Sequence, residues 1–134
     1  MGKRRAQEII ERSSFKEVAR ALDPGADLPG LPDWELIPTP GHTPGHVAFF
    51  RAGDRVLISG DALVTVDLNS PLSLLRSRPR VAAGPWYTTW DRQAARRSIA
   101  ALAALEPWVL AGGHGAPMSG PDLAARLRIL AGPY

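Results

Sequence analysis

The most informative segment of the chain is Thr39-Pro40-Gly41-His42-Thr43-Pro44-Gly45-His46, a doubled Thr-Pro-Gly-His. Apolar runs flank it at residues 34–38 and 47–50, so two histidines are predicted in a loop between two strands. The prolines fix φ at about −65°, and the glycines allow backbone angles that a Cβ would forbid. Such a loop has little conformational freedom to lose, so it can hold a side chain as accurately as a metal ion requires.

Two shorter motifs follow, and each ends a predicted strand with one side chain suited to a metal. An apolar run over residues 57–59 leads to Gly60-Asp61, and another over 109–111 leads to Gly112-Gly113-His114. One Gly-Asp or Gly-His carries little information alone. The doubled loop followed by both motifs, in this order and at strand ends, is specific.

With these motifs the chain resembles the metallo-β-lactamase superfamily of zinc hydrolases, which includes glyoxalase II-like enzymes. The resemblance covers roughly residues 30 to 131. It implies an α/β fold, here a partial metallo-β-lactamase fold (αββα sandwich) whose strands carry helices on the outer face. It also implies that His42 binds a first metal, that His114 binds a second, and that Asp61 bridges the two. The alternative for Asp61 is a turn residue that caps nearby backbone N–H groups.

His46 is interpreted differently, as a residue that orients the loop behind the ligands, with direct ligation as the alternative. The implied cofactor is zinc, two ions in a complete site, bound weakly or not at all by this chain alone. Since the chain has no cysteine, nitrogen and oxygen must supply every ligand.

One departure from the family leaves two hypotheses about the function. The family opens with a His-x-His-x-Asp-His loop, whereas this chain has three histidines in total and no such loop. We therefore expect the C-terminal portion of the fold with an incomplete dinuclear site. One hypothesis is a hydrolase of small-molecule esters, thioesters, lactams or phosphodiesters, whose missing loop lies on a removed segment or another chain. The other is a truncated or inactive descendant that does not catalyse.

Composition limits the remaining function classes. The 134 residues predict a single domain over 1–134, with a helical lead-in over 1–22 and a motif-bearing core over 34–131. Sixteen basic residues are scattered among 13 acidic ones, so nucleic-acid binding is not expected. No apolar run has the length of a membrane span and no signal core follows the N-terminus, so a cytoplasmic location is expected.

Local patterns complete the prediction. Strands are expected over 34–37, 47–51, 55–59 and 108–111. Asp91 should cap a helix that runs to Leu105, and Pro121 should open the last helix. The aromatics at 86, 87 and 90 are interpreted as packing residues, with a cleft wall as the alternative.

Assembly is predicted from the apolar faces of the strands. A lone half of the sandwich would expose alternate residues of 47–50 and 56–58, so we expect a homodimer in which a second copy covers this face. If its axis ran near the loop, two sets of His42, Asp61 and His114 would approach each other.

Overall fold

A computed structural model describes residues 20–23, 25, 27–66, 68 and 79–132. The strands are β1 (Glu35–Pro38), β2 (Val47–Arg51), β3 (Val56–Gly60), β4 (Leu63–Val64), β5 (Ala82–Ala83), β6 (Val109–Gly112) and β7 (Met118–Ser119). The α-helices are α1 (Arg92–Ala104) and α2 (Leu123–Ala131), and a 3₁₀ turn covers Trp86–Thr88. Five strands form one mixed sheet in the order β1-β2-β3-β6-β7, while β4 and β5 form a small second sheet. The α/β prediction is confirmed.

The strand directions bring the three sequence motifs to one edge of the large sheet. β2 runs antiparallel to both β1 and β3, whereas β3 and β6 run parallel. The end of β1, the start of β2 and the ends of β3 and β6 therefore meet at the same edge. The histidine loop, Asp61 and His114 each lie at one of these strand ends.

The two helices cover one face of this sheet. Ala48 and Phe50 of β2 and Leu57 of β3 are buried there, at 0%, 5% and 0% exposure, in one apolar core with residues of both helices. Alternation along each strand places these side chains on a common face because successive residues point to opposite sides. Burial of this face explains why the strand positions could be predicted from apolar periodicity.

The opposite face of the sheet is less covered. Phe49 pairs with Ile58 and Ile58 with Ala111 across the strands, so these side chains form a row on one face. Ile58 is 41% exposed, and Phe49 and Ala111 are only partly buried. The predicted alternation therefore holds, and the homodimer inferred from it stays a prediction.

Several boundaries differ from the sequence-based prediction. The lead-in helix over 1–22 lies outside the described residues except for 20–22, which are not helical. Pro121 does not open the last helix, since α2 begins at Leu123 and Asp122 occupies the capping position. The strands β4, β5 and β7 were not predicted because two residues are too few to show a period. None of the helices in the described ranges combines the length and apolarity needed to cross a membrane.

Candidate metal centre

The histidine loop is closed on itself and clamped by α1. The Thr39 N–H donates to the carbonyl of His46 at 2.9 Å, which joins the two ends of the loop. Gly41 has a φ of +142°, and a Cβ there would lie 2.4 Å from the backbone N of Ala95. The hydroxyl of Ser98 donates to the carbonyl of Pro40 at 2.7 Å. Residue 41 must be glycine because its φ is positive and because α1 leaves no room for a Cβ. These contacts with α1 fix the position of the loop.

The start of α1 adds to this clamp. The N–H of Asp91 donates to the carbonyl of Gly41 at 3.0 Å, while its side chain accepts the N–H groups of Gln93 and Ala94, both at 2.9 Å. Asp91 is thus the helix cap that the sequence predicts. The same residue ties the first turn of the helix to the backbone next to His42.

His46 connects the loop to the turn that carries Asp61. Its Nε2 accepts the backbone N–H of Asp61 at 3.1 Å, so its Nδ1 carries the proton and donates to the Thr39 hydroxyl at 2.7 Å. Burial lowers the pKa of His46, and the nearby His42 lowers it further. Both effects favour the neutral ring that this pair of hydrogen bonds requires. These hydrogen bonds link the loop to Asp61, and the orienting role of His46 stays a prediction.

Asp61 follows β3 in a turn that glycine makes accessible. Gly60 has a φ of +50°, and a Cβ there would meet His46 Nε2 at 2.8 Å. On the other side, a Cβ on Gly113 would lie 2.1 Å from Asp61 Oδ1. The Asp61 carboxylate therefore occupies space that exists only because residue 113 has no side chain.

His114 is held by its main chain. The backbone N–H and the hydroxyl of Thr65 donate to the carbonyl of His114, at 2.8 and 3.1 Å. Thr65 is 1% exposed, so this anchor lies inside the protein while the imidazole of His114 faces outward.

The structure brings all three predicted ligand residues together. His42 Nε2 lies 3.4 Å from Asp61 Oδ2, and His114 Nε2 lies 3.4 Å from Asp61 Oδ1. Both distances exceed the usual hydrogen-bond range of about 2.7–3.2 Å. They match two donors of one tetrahedral zinc, which are about 3.3 Å apart when each bond is about 2.0–2.1 Å long. The carboxylate thus faces one histidine with each oxygen, as a residue shared between two ions would.

Comparison with known proteins places this geometry in a family. The sequence matches the profile of the metallo-beta-lactamase superfamily over residues 10–114. The chain belongs to the metallo-β-lactamase superfamily. The match begins at residue 10, well before residue 30, where the motifs alone suggested it starts.

Individual relatives agree with this assignment. The chain is 42% identical over 112 residues to the probable metallo-hydrolase YflN of Bacillus subtilis, covering 84% of this chain and 42% of that protein. It is 26% identical over 120 residues to the probable metallo-hydrolase YqjP of the same organism, covering 86% and 35%. The crystal structure of the metallo-beta-lactamase family protein TTHA1429 from Thermus thermophilus superposes with a TM-score of 0.56 and 30% identity, covering 82% and 33%. The chain thus spans less than half the length of each of these relatives.

Metallo-β-lactamase superfamily members are generally metal-dependent, so the donors of this site should fit a metal ion. Within the described residues, no three His, Asp or Glu side chains are grouped to hold a single ion. The arrangement instead offers two pairs, His42 with Asp61 and His114 with Asp61. The pairs fit two separate ions, each with fewer protein donors than the four of a structural zinc. The role of these residues as ligands stays a prediction, and so does the bridging role of Asp61.

Sequence reasoning missed the cavity beside these donors. It has a volume of about 270 Å³, and its lining consists of Thr39, His42, Asp61, Ala62, Ala83, Gly84, Thr89, Arg92, Ala95, Arg96, Ser98, Ile99 and Leu130. By sequence alone the basic residues are only scattered charge, and no role is assigned to the arginines of α1. The spacing of Arg92 and Arg96, one helical turn apart after a cap, was the available signal.

One prediction concerns the aromatic side chains near the site, and Ser59 is a further residue whose surroundings the structure shows. Packing does not account for Tyr87 and Trp90, which are 62% and 81% exposed. Ser59 is fully buried, and its hydroxyl lies within hydrogen-bond distance of the carbonyls of Gly60 and Leu63 at 3.3 and 3.2 Å. It is therefore a structural residue.

Proposed function

We propose that this chain is the C-terminal portion of a metal-dependent hydrolase and carries part of a dinuclear zinc site. His42 would hold one ion, His114 would hold the other, and Asp61 would contribute to both. The observation that carries the proposal is the pair of 3.4 Å distances from the two carboxylate oxygens to the two histidines. The alternative role of Asp61, a turn residue that caps backbone N–H groups, does not require these two imidazoles.

Bound zinc would supply a hydroxide near neutral pH and stabilise the oxyanion formed from an ester, thioester, lactam or phosphodiester. The residues of this chain set the positions of the donors. His46 holds the backbone of Asp61, and Thr65 holds the backbone of His114. The substrate is proposed to be a small molecule, since the adjoining cavity is of that size.

Zinc binding by the purified chain tests this proposal. We expect weak binding that His42→Ala and His114→Ala each reduce, because each histidine belongs to a different pair. Thr43→Ala is the matched control, because Thr43 is exposed and its side chain makes no described hydrogen bond. Zinc affinity that is equal in all four proteins would contradict the site.

Activity separates the hydrolase from a non-catalytic descendant. With only part of the ligand set, the chain alone should hydrolyse thioesters and phosphodiesters no faster than its His114→Ala variant. If the chain is part of a hydrolase, adding a chain that carries the family's His-x-His-x-Asp-His loop should restore zinc-dependent hydrolysis. A descendant that no longer catalyses would stay inactive after that addition.

A further inference from the structure

The cavity beside His42 and Asp61 has an apolar interior. Five of its lining side chains are aliphatic, namely Ala62, Ala83, Ala95, Ile99 and Leu130. Its volume of about 270 Å³ lies just below the range of about 300–1,000 Å³ typical of pockets for drug-sized ligands. Binding of a small apolar group in this cavity would be favourable, because apolar surface of both the group and the cavity would be removed from water.

The rim of the same cavity is positively charged. Arg92 and Arg96 both line it from successive turns of α1. Among the described residues of its lining, Asp61 is the one acidic residue, and its carboxylate faces His42 and His114.

Of these two arginines, Arg96 is exposed and has no partner among the described residues. Within the described residues it makes no hydrogen bond and no ion pair, unlike Arg51 and Arg128, which each bind a carboxylate. A guanidinium presents a planar fork of N–H donors that matches a carboxylate or a phosphate. An anionic group at the mouth of the cavity would therefore find a donor already in place.

We infer that this cavity binds the substrate, that the substrate combines a small apolar group with a carboxylate or phosphate, and that Arg96 binds the anion. The inference rests on the proposed function, since it names the substrate class of the same site. The apolar group occupies the aliphatic interior, and the anion lies at Arg96. This places the rest of the molecule against His42 and Asp61, where the bond to be cleaved would lie.

Three probes with the same five-carbon tail test the inference on the chelator-treated full chain, with binding followed by NMR titration. Hexanoate and pentyl phosphate each carry an anion on a five-carbon tail, while hexanamide has the same tail without charge. We expect one or both anions to bind about three- to tenfold more tightly than the amide. The anion that binds more tightly identifies the substrate's charged group. Affinity for it should fall as salt is raised, because exposed charges are screened over about 10 Å at 0.1 M salt.

Two variants assign the site. Arg96→Gln should remove the preference for the anion and leave hexanamide binding unchanged. Arg97→Gln is the matched control, since Arg97 is the next residue of the same helix, is exposed and does not line the cavity. Ala83→Leu, which narrows the aliphatic interior, should weaken all three probes. Equal binding of anions and amide, or an equal loss in both arginine variants, would overturn the inference.

The metal-free design keeps this test separate from that of the proposed function. If zinc binding failed while the anion preference and its dependence on Arg96 held, the cavity would be a ligand site without hydrolysis. If zinc bound as expected and the probes showed no preference for an anion, the assignment of Arg96 would be wrong and the metal site would stand.

Discussion

Replacing His42 or His46 by alanine should have opposite consequences for stability and for metal binding. The ring of His46 makes two hydrogen bonds, to the Thr39 hydroxyl and from the Asp61 N–H, at 2.7 and 3.1 Å. At about 0.5–1.5 kcal/mol each, their loss in His46→Ala should lower the free energy of unfolding by about 1–3 kcal/mol. Thr39 is 1% exposed, so water cannot readily replace its lost partner.

His42→Ala should lower the free energy of unfolding much less than His46→Ala. The buried Nδ1 of His42 has no hydrogen-bond partner among the described residues, and its Nε2 lies 3.4 Å from Asp61 Oδ2. Removing an unsatisfied buried nitrogen relieves a cost of about 1–3 kcal/mol, which offsets the packing lost with the ring. In chelator, the two variants should therefore differ in stability by about 2 kcal/mol, with His46→Ala the less stable.

Zinc affinity should follow the reverse order. His42→Ala removes a proposed donor, so affinity should fall by more than about 100-fold, whereas losing an orienting residue costs about 10- to 100-fold at most. Urea denaturation with chelator measures the stability difference, and calorimetric titration with zinc measures the affinities. Equal losses of affinity would refute the separate roles of the two histidines. A His42→Ala variant as unstable as His46→Ala would refute the reading of their hydrogen bonds.

Four further predictions follow from other features. Gly113→Ala should lower zinc affinity at least about tenfold, because its Cβ would lie 2.1 Å from Asp61 Oδ1, whereas Gly53→Ala, with nothing within 4 Å, should leave calorimetric titrations unchanged. Asp91→Ala should lower the free energy of unfolding by about 1 kcal/mol in urea, since two helix N–H groups lose their acceptor. In metal-free protein the lowered pKa of His46 contributes stability in full above its ordinary value of 6.5 and loses it as pH falls below that value, so denaturation curves of His46→Gln should show a weaker acid dependence. Light scattering should find a homodimer that covers the Ile58 face, and a stable monomer at micromolar concentration would contradict it.

The sequence was sufficient for the local elements because their causes are local. Apolar alternation placed β2 and β3 within a residue of their observed bounds, and Asp91 marked the start of α1. Pro121 misled the prediction for α2, because proline favours the first turn of a helix without requiring one, and here it precedes the capping residue Asp122. The division into a lead-in over 1–22 and a core over 34–131 stays a prediction.

The residue types of the site were also evident in the sequence, and their order identified the family. His42, Asp61 and His114 are separated by 19 and 53 positions, and no local rule states that they meet. Their meeting depends on the parallel pairing of β3 with β6, which brings two distant strand ends to one edge.

Only the tertiary structure decided how these residues face one another. The distance from each histidine to a separate oxygen of Asp61, the tautomer of His46 and the space left by Gly113 all depend on contacts between distant segments. The cavity and the place of Arg96 in it likewise require α1 to be docked on the loop. The sequence determines which groups are available because chemistry belongs to the side chain, whereas folding determines their separations because packing joins residues that are far apart in the chain.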